Sequence, residues 1–254
     1  MSKLNQLVSS YLLSSLFVFS FPTSLLSEKY DDLLTQTTFE AVKNGTESTK
    51  SKKKNDEERP NAWKRERFYD LFTSEKKAFV WVCVYKVASL SIKNVLYPQV
   101  DDLIQERLTS IPEKAENYFT FAFVRNPWDR IVSCYHHKIV NKAAPHFKDC
   151  YDKDFGFFVE YIGKLDVKKE NLHIRPQASV IPVDQCDFIG KLENFSEDFK
   201  YVCQTIGVEL VELPYAHKVE HAHYSTYYTP RTRKIIERLY NEDIEIFGYS
   251  FESQ

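Results

Sequence analysis

Twice between residues 78 and 140 the chain passes from an unbroken apolar run to a segment with helical spacing. Ala78-Phe79-Val80-Trp81-Val82-Cys83-Val84 is almost continuously apolar, the pattern of a strand covered on both faces in a parallel sheet. Ser89 to Leu96 then carries Leu90, Ile92, Val95 and Leu96 at helical positions, and Pro98 ends it. The logic repeats with Tyr118 to Val124 as strand, Asn126-Pro127 as turn and Trp128 to Val140 as helix. The polar stretch Asp101 to Lys114 predicts the helical crossover that parallel strands require. Beyond these units the pattern predicts a helix over Phe155 to Ile162, a loop from Lys164 to Asn171 and a short strand ending at Lys191. A helix over Ser196 to Gly207 follows, and a single long one over Thr229 to Phe247, with Pro230 in its first turn and Gly248 as its stop. Strand, turn and helix in this order define an α/β protein.

At 254 residues, 43% hydrophobic and 15% aromatic, the chain can bury one sizeable core. A net charge of -2 supplies no global basic field, so nucleic acid is not expected as a partner, and any anion site must be local. Residues 4–27 carry no charged side chain and are long enough to span a bilayer as a signal anchor, although serines and Pro22 weaken the span. A cleaved signal peptide or a disordered start are the competing readings. Residues 28–61 turn polar, with a lysine run beside acidic residues, and predict a solvated stem ahead of a single domain over 62–254. Asn44-Gly45-Thr46 in the stem is a glycosylation sequon, and Asn194-Phe195-Ser196 matches the pattern at a helix start where capping explains it equally well. The five cysteines show no zinc spacing. Cys83 and Cys134 read as core residues, and Cys150 and Cys186, near loops, are candidates to pair in an oxidising compartment.

The chemistry gathers where strands end. Lys86 follows a buried strand, and Ser89 and Ser91 open the next helix, whose unpaired N–H groups and dipole favour an anion. A strand-end lysine more often simply points to water, so Lys86 by itself carries little. The Walker pattern of nucleotide hydrolases is missing, and only 6 glycines occur in the chain. Arg125 ends the second strand, and Ser133 lies two helical turns on; together they can donate to one phosphate. Asp129 and Arg130, in the first turn of that helix, are expected to cap or pair locally, and Trp128 to pack. Two anion sites predict a ligand with two phosphate-like ends.

These segments resemble those of the carbohydrate sulfotransferases that include the chondroitin and dermatan enzymes. Tyr85-Lys86-Val87-Ala88-Ser89-Leu90-Ser91 is similar to their PKVAST-type loop, and Phe123 to Tyr135 to their FVRNPWDRLVSAY segment. His173-Ile174-Arg175-Pro176-Gln177 and Asp187 to Asn194 resemble the HWRPQ and DFIGRFEN elements. His223 to Tyr228 and Leu239 to Tyr249 resemble the C-terminal block. The resemblance implies a P-loop-like three-layer fold with a central parallel sheet flanked by helices. It also implies 3'-phosphoadenosine 5'-phosphosulfate (PAPS) as co-substrate and transfer of its sulfuryl group to a glycan hydroxyl, with no metal. On that mapping Lys86, Val87, Ala88, Ser89, Leu90 and Ser91 hold the 5'-phosphosulfate, and Arg125 and Ser133 the 3'-phosphate. With the anchor at residues 1–27, it implies a single-pass Golgi membrane enzyme with a luminal catalytic domain; a secreted or cytoplasmic protein is the alternative.

Within that scheme Lys86 is the candidate to stabilise the leaving group and His173 the candidate base, with His136, His137 and Glu193 as weaker alternatives. The set Lys86, Arg125 and Ser133 favours an active enzyme over a silent nucleotide- or glycan-binding relative. The absent Walker context and magnesium carboxylate disfavour a kinase-like phosphoryl transferase. Two departures stand out. Tyr85 occupies the place of the family's proline, which predicts a relaxed turn, and Ile174 that of a tryptophan, which predicts loss of an aromatic surface near the acceptor. Residues 218–228 are expected to close over the 3'-phosphate or the acceptor.

Overall fold

The apolar run around Val80 is strand β2 (Phe79–Val82) of a five-stranded sheet in the computed structural model, which describes residues 68–210 and 222–252. Its partners are β1 (Tyr69–Ser74), β3 (Ile104–Leu108), β4 (Phe119–Val124) and β5 (Phe188–Lys191), in the order β3-β1-β2-β4-β5. β2, β4 and β5 pair in parallel, while β1 is antiparallel to both β2 and β3, so β1 alone runs against the others. Every residue of β1 and β2 is buried, as expected for strands covered on both faces. Phe72, Trp81, Phe121, Phe123 and Phe199 form the aromatic centre of this core.

Helix α1 (Ser89–Leu96) follows β2, and α2 (Pro127–Cys134) follows β4 and runs on into a π-helical turn over Tyr135–Val140. Helices α3 (Phe155–Ile162), α4 (Phe195–Ile206), α5 (Pro230–Leu239) and α6 (Asn241–Phe247) complete the described helical set. α4 packs on the sheet through Phe199, Val202 and Ile206, whereas α2, α3 and α5 build a second core around Trp128, Ile131, Phe158 and Ile236. Lys86 follows the end of β2 and Arg125 the end of β4. The mixed α/β sheet flanked by helices is the fold class read from the sequence.

Four expectations change. The crossover over 101–114 is not a helix: Ile104–Leu108 pairs with β1 as an edge strand, and only a 3-10 turn follows at Glu113–Ala115. Its polarity is that of an exposed edge, where charged side chains suit one solvated face. The long C-terminal helix is two, because Tyr240 adopts φ -120° and ψ 26° between α5 and α6. Cys150 and Cys186 form no disulfide and belong to different cores. Asn194 caps no backbone N–H in α4; its amide donates to Asp198 instead. The predicted anchor, stem and first sequon lie outside the described residues. Among the described residues no helix is long and apolar enough to cross a membrane.

Candidate active site

Two left-handed residues shape the turn after β2: Lys86 at φ 68° and Ala88 at φ 50°. For non-glycine residues this conformation is unfavourable by about 1–2 kcal/mol each, so the surrounding contacts must impose it. Alternating backbone handedness of this kind gathers successive N–H groups into a concave anion nest. Helix α1 starts directly behind it with Ala88 as N-cap, no capping side chain and no acid in its first turn. Its first internal bond runs from Ile92 N to Ala88 O, which leaves the N–H groups of Ser89, Leu90 and Ser91 to an outside acceptor. The hydroxyls of Ser89 and Ser91 make no hydrogen bond among the described residues.

The second turn clamps the first. Arg125 Nη1 donates to Lys86 O at 3.2 Å and its Nε to Asp129 Oδ2 at 2.7 Å, which aims a guanidinium that is 13% exposed. Asn126 accepts from Trp128 N and so caps α2, while Pro127 fills the first helical position, whose N–H would be unpaired anyway. Ser133, on the next turns of α2, is buried at 7% exposure and its hydroxyl likewise makes no hydrogen bond among the described residues. Arg130 departs from the local pairing expected of it. It is buried at 1% exposure and donates to Tyr85 O at 3.0 Å, Arg175 O at 2.8 Å and Leu172 O at 3.1 Å. This one side chain joins the Lys86 turn to the loop that carries His173.

His173 stands against Tyr85, with ring centroids 4.7 Å apart. Its Nδ1 meets Asn171 Oδ1 at 2.6 Å; a carboxamide oxygen only accepts, so Nδ1 carries the proton and Nε2 keeps its lone pair. Burial, then the charges of Lys138 and Lys86, pushes its pKa well below the usual histidine value. A neutral imidazole with an available Nε2 is what a general base requires. Two of the weaker candidates are engaged otherwise. His136 Nε2 pairs with Tyr227 Oη at 2.9 Å. Glu193 accepts from Asn126 N at 2.7 Å and from Tyr249 Oη at 3.0 Å, which makes it a strut beneath α2.

Ile174 is fully buried in the second core, so its side chain presents no surface to solvent. Residues 218–221 lie outside the described residues. The described remainder of that block packs on α2, where Tyr228 Oη donates to Trp128 O at 2.9 Å. Sequence reading assigned no role to Gln177 and Asp243, both fully buried polar residues that hold the backbone of Arg125 and of the 177–178 turn. A glutamine two residues after a buried arginine was the available signal for the first. For Asp243, inside an ordinary helical pattern, there was none.

The parallel strands β2 and β4 thus lead into one helix without a capping side chain and one turn that carries Arg125, in a mixed α/β protein. The chain matches the sulfotransferase family over residues 69–250 and belongs to it. It is similar to carbohydrate sulfotransferase 10 of Xenopus laevis, 25% identical over 237 aligned positions that cover 70% of this chain and 67% of the relative. It is also similar to carbohydrate sulfotransferase 11 of Mus musculus, 30% identical over 128 positions, which cover 39% of this chain and 36% of that relative. No solved structure matches the chain.

Proposed function

We propose that the chain transfers a sulfuryl group from PAPS to a hydroxyl of a carbohydrate. The observation that carries this reading is that at both turns a cation is followed by serines whose hydroxyls make no hydrogen bond among the described residues: Ser89 and Ser91 open α1 after Lys86, and buried Ser133 lies on α2 after Arg125. When bound, PAPS supplies a sulfuryl group attached to adenosine 3',5'-bisphosphate, and negative charge grows on the bridging oxygen as their bond breaks. The nest at 86–88 and the first turn of α1 hold the 5' end, with N–H donors that need no reorganisation as charge develops. Lys86 reaches over the same end and gains most where that charge is greatest. Arg125 and Ser133 hold the 3'-phosphate. His173 Nε2 takes the proton of the acceptor hydroxyl, and Asn171 keeps the imidazole in the tautomer able to do so.

The names of both relatives support a glycan acceptor. The charge-free run at 4–27 supports a Golgi membrane anchor followed by a stem, with the catalytic domain luminal. The deciding experiment is thermal unfolding of the protein with adenosine 3',5'-bisphosphate beside ATP, then assay of sulfate transfer to glycans. A ligand at a hundredfold excess over its Kd raises stability by about 2.7 kcal/mol. A shift with the bisphosphate alone supports the reading, and a folded protein that ignores it overturns the donor assignment.

A further inference from the structure

The Lys86 turn is held from two directions, and only one of them belongs to the arginine clamp. On the α2 side Arg130 and Arg125 take the carbonyls of Tyr85 and Lys86. On the opposite side the Tyr85 side chain runs back to the sheet, where its hydroxyl donates to Asp70 Oδ2 at 2.8 Å. Asp70 lies on β1 at 2% exposure. Its other oxygen accepts from Gln105 Nε2 at 2.8 Å, and Arg107 sits opposite it in the β1–β3 ladder. The carboxylate is therefore fixed before Tyr85 reaches it. The same tyrosine ring packs on His173.

We propose that Tyr85 is a positioning residue, whose hydrogen bond to Asp70 locks the left-handed turn that presents Lys86. Proline restrains a turn by fixing its own φ. Tyr85 leaves φ free and fastens the turn through its far end, so the restraint depends on Asp70 and on the edge strand β3 that orients it. The expected relaxed turn is thus replaced by one tied to a buried carboxylate. The inference rests on the sulfotransferase reading for its consequence in catalysis, but the lock itself is a property of the ligand-free protein.

Trypsin provides the test, because Lys86 is its own cleavage site. The rate of the cut after Lys86 is followed by mass spectrometry in ligand-free wild type, Tyr85→Phe, Asp70→Asn and the double variant. Tyr85→Phe keeps the ring on His173 and removes only the hydroxyl. Each single variant is expected to be cut about tenfold faster, the lower end of what a hydrogen bond to a charged group is worth, and the double variant no faster than either. An unchanged rate in Tyr85→Phe, or multiplying effects in the double variant, overturns the lock; should Asp70→Asn fail to fold, Tyr85→Phe alone decides. In the transfer assay Tyr85→Phe is expected to lower kcat about tenfold with bisphosphate Kd nearly kept, because Lys86 matters most in the transition state. Equal losses in kcat and Kd overturn the positioning role. Failure of wild type to bind bisphosphate or transfer sulfate would defeat the sulfotransferase reading and leave the tryptic result to judge the lock.

Discussion

Gln177 grips the main chain of Arg125 at both ends: its Oε1 accepts the Arg125 N–H at 2.9 Å and its Nε2 donates to the Arg125 carbonyl at 2.8 Å. Asp243 holds the glutamine from behind, accepting from its backbone N at 2.8 Å and from Nε2 at 3.3 Å. Gln177→Ala leaves both groups of Arg125 unpaired in a partly buried place, where each orphan is unfavourable by about 1 kcal/mol, the low end for a buried group. Its melting temperature should fall by roughly 2–4 °C for each of those kcal/mol. Affinity for adenosine 3',5'-bisphosphate should fall as well, as titration calorimetry will register.

Lys86→Ala should abolish sulfate transfer while adenosine 3',5'-bisphosphate still binds, because the N–H groups of α1 remain. Single-turnover assay and calorimetry on the same preparation separate the two. Near-normal turnover removes Lys86 from the mechanism.

Arg125→Ala should weaken adenosine 3',5'-bisphosphate by about 10- to 150-fold, the worth of one hydrogen bond between charged groups, and leave AMP almost unaffected. Equal losses for both nucleotides contradict the 3'-phosphate assignment. The variant also frees Lys86 O, so some loss of kcat is expected.

The depressed pKa of His173 has opposite consequences for activity and stability. The acid limb of kcat/KM should lie well below the ordinary histidine value near 6.5, since the base stays neutral to lower pH. For stability, the unfolded chain binds the proton that the folded one refuses, so this contribution is complete above about pH 6.5 and is lost as pH falls below it. His173→Gln should flatten that part of the stability profile and lower turnover with donor binding retained. An unchanged rate would move the base elsewhere.

Gly190, in β5, has no room for a methyl group: a Cβ there would sit within 3.0 Å of three atoms of the Phe123 ring. Phe123 is itself wedged among Phe188, Phe195 and Phe199 and cannot yield easily. Gly190→Ala should destabilise the protein by about 1–3 kcal/mol, the usual range for overpacking, measured by urea unfolding.

Helices α1 and α3 fall where their apolar spacing puts them because their buried faces coincide with what periodicity measures. β3 was illegible for the opposite reason: Gln105 and Arg107 serve Asp70 and the Tyr85 anchor, and such residues look like solvated helix until their partners are known. The placing of Lys86 and the α1 serines after β2, and of Arg125 and Ser133 after β4, could be read from the strand-turn-helix pattern. The roles of Tyr85, Arg130, Gln177 and Asp243 could not, since each depends on a partner at least 15 residues away in sequence. Tyr240 shows the same limit. Its pattern continues a helix, yet its hydroxyl donates to Ile174 O at 2.6 Å and the helix breaks there.

That break makes the following stretch a ruler. Each helical residue advances the side-chain direction by about 100°, and the count restarts at Tyr240. Asp243 meets Gln177 because it stands three steps from the restart. One residue inserted between them would swing the carboxylate about 100° away and bring another side chain round in its place. Length in this interval is therefore as binding a requirement as chemistry: the spacing of a remote helix sets the angular phase of the arginine turn.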